Sequence, residues 1–236
     1  HPMSVAFAPN GQVFVAEKRG TIRVYDSLTE TTPTTFADLS VNTNNYWDRG
    51  MMGIAVDPAF PTRPYVYVLY AYNHILGSGA PPPQWPSSGT NPWSDICPNP
   101  PLGTIDGCVV SGRLSRLTSS GGVMSGSETV LIEDWCQQFP SHSMGSLMFG
   151  PEGALYVSAG DGASFNSGAP DYGQLGGTLS GTPTPVNPCG DPGGSSPAPP
   201  SAEGGALRSQ DIRTTGDPTS LDGAILRVHP DTGAAW

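Results

Sequence analysis

The sequence predicts an all-β fold, a β-propeller built of four-stranded antiparallel blades, with about three blades in this chain. Three observations predict it. Glycine and proline supply 31 and 26 of the 236 residues and hydrophobic residues only 36%, a composition that excludes a helical bundle or a coiled coil. A hairpin pattern recurs: residues 4–20 read SVAFAPNGQVFVAEKRG and residues 146–162 read SLMFGPEGALYVSAGDG, so Phe7, Pro9 and Gly11 return as Phe149, Pro151 and Gly153 at a constant offset of 142. A related unit lies between the two copies, GIAVDP at 53–58 followed by YVYVLYAY at 65–72, a run of aromatic and β-branched residues suited to a strand.

Taken in order, each unit opens with a short apolar strand, a turn carrying Pro and Gly, and a second apolar strand, which is a hairpin signal. Further strands are expected at 21–25 and 34–39 in the first unit, at 112–117 and 129–133 in the second, and at 224–229 in the third. Four short strands repeated radially make a propeller blade, and a closed ring of blades hides the sheet edges. Three blades do not close a ring, so the polypeptide is expected to continue beyond Trp236 with further blades. Two Gly-, Pro- and Ser-rich stretches, about 77–108 and 163–221, read as ordered loop insertions into one partial propeller domain spanning 1–236.

Ten basic residues against twenty acidic ones give a formal net charge of −10, which excludes nucleic acid as a partner because that needs a basic footprint. No window reaches the length of an apolar membrane span, and the chain begins without a leader pattern. Cys97, Cys108, Cys136 and Cys189 lack the close paired spacing of zinc sites. Two disulfides are expected, with Cys97–Cys108 and Cys136–Cys189 favoured among three possible pairings because each tethers a loop with little core; four free thiols are the alternative. Such a framework points to an extracellular or periplasmic location.

Of the four histidines, His1, His74 and His229 read as solvated surface. His142 differs, because it lies in PSHSMGS immediately before an inner-strand pattern and would stand at the mouth of the central channel. An imidazole there can accept a proton from a hydroxyl near neutral pH. Asp48 and Arg49 precede the second unit as Ser141 and His142 precede the third, so they are expected at the same mouth; a local ion pair is the plainer reading. Asn166 follows the Gly160-Asp161-Gly162 turn and could line the rim. Tyr46, Trp47, Trp85, Trp93 and Trp135 fall mostly in expected loops, where aromatic rings could meet sugars or simply pack. Nucleotide-binding and zinc-protease motifs are absent, and the acids of 217–223 lack the spacing of an EF-hand.

The ordered series SVAFAPNGQVFVAEKRGTIRVYD, WDRGMMGIAVDPAF, YVYVLY, SGRLSRL, HSMGSLMFGPEGALYVSAGDG and LDGAILRVHPDTG resembles the glucose/sorbosone dehydrogenase family. That resemblance implies a six-bladed propeller of which this chain is the N-terminal half, and a secreted quinoprotein oxidoreductase acting as a sugar dehydrogenase. An aldose would be oxidised at its anomeric carbon, with hydride passing to pyrroloquinoline quinone (PQQ) and electrons onward to an acceptor. His142 would be the catalytic base. Asp48, Arg49 and Asn166 would fall at cofactor-binding positions, although Asp48 and Asn166 depart from the family in residue type. The other quinone-holding residues and the Ca2+ ligands would lie on blades beyond Trp236, leaving this chain an incomplete enzyme. A non-catalytic extracellular propeller that binds carbohydrate or protein is the alternative, and a calcium-containing sugar-binding module is a third reading.

Overall fold

The structure is a computed structural model that describes residues 1–74, 103–104, 107–108, 110–137, 140, 142–160 and 221–236. Every regular element among them is a strand. The first blade is the sheet β1 (Pro2–Phe7), β2 (Val13–Glu17), β3 (Thr21–Tyr25) and β4 (Thr34–Asp38), paired in that order. The second runs from β5 (Met51–Val56) through β6 (Tyr65–Tyr72) and β9 (Val110–Ser120) to β10 (Val123–Gln137). The third comprises β11 (Met144–Phe149), β12 (Leu155–Ala159) and β13 (Ile225–Val228). A two-stranded ribbon, β7 (Gly103–Thr104) with β8 (Gly107–Cys108), sits within the first expected insertion. All pairings are antiparallel.

The repeat seen in the sequence is a repeat of turns. In the first copy Ala8 N–H donates to Gln12 O and Gly11 N–H to Ala8 O; in the third copy Gly150 donates to Ala154 and Gly153 to Gly150. Gly11 and Gly153 hold φ of 93° and 91°, a conformation that only glycine adopts without cost. One expectation shifts. Strands β9 and β10 run longer than 112–117 and 129–133, because β10 absorbs its irregular sequence in register shifts within 125–135. After the 230–233 turn Ala235 bridges back to Val228, so this segment extends the third blade.

The strand β6 explains how the blades stack. Its eight residues are almost continuously apolar because both faces are buried. Val66, Val68, Tyr70 and Tyr72 join the core shared with Phe14, Ile22 and Phe36 of the first blade. Tyr67 and Leu69, facing the other way, join Leu114, Trp135, Leu155 and Val157 in the core shared with the third blade. Phe14 meets Phe36 edge-on at 5.1 Å and Tyr67 meets Phe149 at 5.3 Å. The inner strand β5 packs between β1 and β11, which sets the three blades side by side around one axis.

This meander sorts the connections onto two faces. Pro/Gly turns lie at one face. The segments entering β5 and β11, and those leaving β2, β6 and β12, gather at the opposite face, here called the upper face. Both expected insertions therefore leave from the same place in their blades, after the second strand, where the first blade has only the short turn between Glu17 and Thr21.

Burial first, and the nearby carboxylates of Asp57 and Glu128 second, push the phenols of Tyr67 and Tyr70 above the ordinary tyrosine range. Above about pH 10 the unfolded chain releases these protons while the native protein keeps them, so stability falls as pH rises. In an alkaline titration followed by tyrosinate absorbance, these two of the eight tyrosines should ionise only with unfolding. A native state in which all eight ionise together near pH 10 would contradict the burial.

Candidate functional site

The site is built where two upper-face segments meet. Asp48 N–H donates to Pro140 O at 3.1 Å, joining the segment that enters β5 to the one that enters β11. The first segment is pinned from below: Asn44 N–H donates to Ala71 O, Asn73 N–H to Asn42 O, and the buried amides of Asn44 and Asn73 bond each other at 3.1 Å. Lys18 supports it from the first blade, with Nζ donating to the carbonyls of Asn45 and Trp47. Burial lowers the Lys18 pKa, and the nearby charge of Asp48 opposes that. Gly50 allows the crossing, since a Cβ there would lie 2.6 Å from Lys18 O and its φ is 137°.

His142 is half-buried and takes a φ of 52° between β10 and β11. Its neighbour Ser143 is buried, accepts Gly160 N–H at 2.6 Å, and donates its hydroxyl to Gln137 Oε1 at 3.2 Å. Gly160 comes so close that a Cβ would lie 2.1 Å from His142 O, so the His142 backbone is clamped against the end of β12. Gln137 in turn donates Nε2 to Asp222 Oδ1 at 2.5 Å, and Trp135 donates Nε1 to the same oxygen at 3.1 Å. The fully buried Asp222 carboxylate thus organises the end of β10, from which the His142 segment departs.

Asp48 is exposed at the mouth, whereas Arg49 is fully buried and donates Nη2 to Gln137 O at 2.8 Å. The two neighbours are therefore directed apart, and the Arg49 guanidinium holds the backbone that leads to His142. Trp47 is 43% exposed with a φ of 49°, and its ring lies 5.7 Å from that of Tyr46. Asn166 lies outside the described residues, as do Trp85, Trp93, Cys97 and Cys189. Cys136 is in a disulfide, and each favoured pairing includes a partner outside the described residues.

Two placements correct the sequence reading. His74 is buried at 4% exposure rather than solvated, and Trp135 lies in the core of β10 rather than in a loop. The supporting roles of Gln137 and Asp222 were not legible, because their bond joins residues 85 positions apart. Among the described residues no helix is long and apolar enough to cross a membrane.

The sequence profile of the Glucose / Sorbosone dehydrogenase family matches residues 1–198. No curated protein sequence matches the chain. Among solved structures, a glucose dehydrogenase is similar over 99% of this chain and 45% of its own, at 15% identity and a TM-score of 0.50. The aldose sugar dehydrogenase of Streptomyces coelicolor in its PQQ-bound form is similar over 84% of this chain and 49% of its own, at 18% identity and a TM-score of 0.47. The soluble aldose sugar dehydrogenase of Escherichia coli in its apo-form is similar over 78% and 43%, at 15% identity and a TM-score of 0.42. The chain thus spans less than half the length of each of these three structures. With the family profile matched over most of its length, the chain belongs to the glucose/sorbosone dehydrogenase family.

Proposed function

We propose that this chain supplies the base-bearing wall of a PQQ-dependent aldose dehydrogenase whose remaining blades belong to the same protein. The observation that carries the reading is the clamped, half-buried His142 beside the Asp48 segment at the upper end of the inner strands. PQQ is a planar aromatic tricarboxylate, and the residues at this mouth fit such a group on one side. Trp47 offers exposed aromatic surface, and Arg19 adds an exposed cation on the adjoining β2–β3 turn. Asp48, a pure acceptor when ionised, suits a sugar hydroxyl or a ring N–H and not a carboxylate. Asn166 would join from beyond Gly160, and Arg49 acts indirectly by holding Gln137 O.

When bound, PQQ supplies the two-electron acceptor that takes hydride from the anomeric carbon. His142 takes the proton of the anomeric hydroxyl onto its imidazole as the C–H bond breaks, which leaves the sugar as its lactone. Clamping by Gly160 and Ser143 fixes the His142 backbone, so the point from which the base projects is set before substrate arrives. Calcium would be bound by residues outside those described, and electrons would leave to a further acceptor. The disulfide at Cys136 accords with an extracellular or periplasmic location.

The test is reconstitution of the protein at its full native length with PQQ and Ca2+, followed by dye reduction with a panel of aldoses. Quinone-dependent turnover of at least one aldose is expected. Saturable sugar binding with no turnover on any of them would instead establish a non-catalytic binding propeller.

A further inference from the structure

We propose that His74, Glu133 and Asp134 form a binding site for one divalent cation of the zinc class, independent of the quinone chemistry. His74 follows β6 at the upper face with its side chain 5% exposed, and Nδ1 is buried with no hydrogen-bond partner. Its Nε2 faces two carboxylates, at 3.4 Å from Asp134 Oδ1 and 3.7 Å from Glu133 Oε1, and the three ligand atoms lie within 4.8 Å of one another.

These separations are the informative feature. The His74 Nε2–Asp134 Oδ1 contact is a long hydrogen bond at 3.4 Å, against roughly 2.7–2.9 Å for a charge-assisted N–H···O bond. Ligands at about 2.0–2.2 Å from a tetrahedral zinc stand roughly 3.4 Å apart, close to the 3.4 and 3.7 Å that His74 Nε2 keeps from the two carboxylates. The Glu133 carboxylate is divided to match. Its Oε2 accepts Arg113 Nη2 at 2.8 Å while Oε1 is turned to His74, the arrangement of a metal-binding carboxylate oriented by a second hydrogen bond. Consecutive strand residues normally face opposite ways. Here the register shift between Ile132 and Trp135, with Asp134 at a φ of 58°, brings both carboxylates to the side of His74.

The donor set selects the ion. Calcium takes six to eight oxygen ligands and magnesium a wet octahedron, whereas one imidazole and two carboxylates suit zinc with a fourth position left to water. The ion would tie the end of β6 to β10 at the base of the 73–109 connection, a structural role.

The test uses the protein stripped with a chelator and kept free of quinone, so its outcome does not depend on the proposed reaction. Calorimetric titration with Zn2+ should show one ion bound to this site, and Co2+ in its place should give the visible bands of a low-coordinate nitrogen and oxygen site. His74→Gln should weaken Zn2+ binding at least about 100-fold and Asp134→Asn about tenfold, while excess Ca2+ should not compete. Asp134 is exposed, so Asp134→Asn decides the matter if His74→Gln fails to fold. No saturable Zn2+ binding, or Zn2+ binding unchanged by Asp134→Asn, would overturn the proposal.

Discussion

Under the proposed function, replacing His142 should lower aldose turnover by about a hundredfold to ten-thousandfold while the fold persists, the range over which a positioned general base acts. The side chain is half-buried at the mouth and contributes little to either core. The choice of variant matters because His142 holds a φ of 52°. Alanine in that region costs roughly 1–2 kcal/mol, whereas asparagine tolerates it, so His142→Asn separates chemistry from backbone strain. In the full-length protein reconstituted with PQQ and Ca2+, kcat should fall far more than KM rises, and the limb of the pH–rate profile that reports deprotonation of the base should vanish. A His142→Asn protein with wild-type turnover would show that the proton goes elsewhere.

The second large effect is on stability. Arg113→Met should destabilise the protein by about 3–5 kcal/mol, because it strands carboxylates that the guanidinium now neutralises. Arg113 is 8% exposed; Nη1 lies 2.8 Å from Glu128 Oε1, Nη2 lies 2.8 Å from Glu133 Oε2, and its Cζ sits 3.3 Å above the Tyr72 ring. Glu128, itself 11% exposed, also accepts the Tyr70 hydroxyl at 2.9 Å and the Asn42 amide at 3.3 Å. For a chain of this length the loss corresponds to a fall in Tm of roughly 10 °C. The double variant Arg113→Met/Glu128→Gln should recover much of it, since the buried charge is then gone. Denaturant unfolding of the single and double variants decides: equal losses would mean that packing of the arginine stem, not charge, is what matters.

The blade architecture was readable because it is written locally. A Pro-x-Gly turn demands glycine at positive φ, so Gly11 and Gly153 leave a mark that survives in sequence, and the double-sided burial of β6 leaves an unbroken apolar run. The place of His142 was readable for the same reason, since it lies just before the inner strand β11. What stayed hidden depends on partners distant in the chain. Arg49 reads as a rim residue beside Asp48, and only contact with Gln137, 88 positions away, turns its side chain inward. The alternation that would have placed Trp135 in the core is interrupted by the register shifts of β10. His74 reads as a polar residue after a strand, and the carboxylates it meets, Asp134 and Glu133, lie on another strand of the same blade.

Both long connections leave after the second strand of a blade, and in each the sheet is zipped shut at the point of departure. Tyr72 pairs with Ser111 at the base of one, and Ser158 with Ile225 at the base of the other. The cost of closing a loop grows only logarithmically with its length, so almost any length can be exchanged at these two points without shifting a strand. The two connections beside the mouth can therefore be exchanged while the cores between the blades stay as they are.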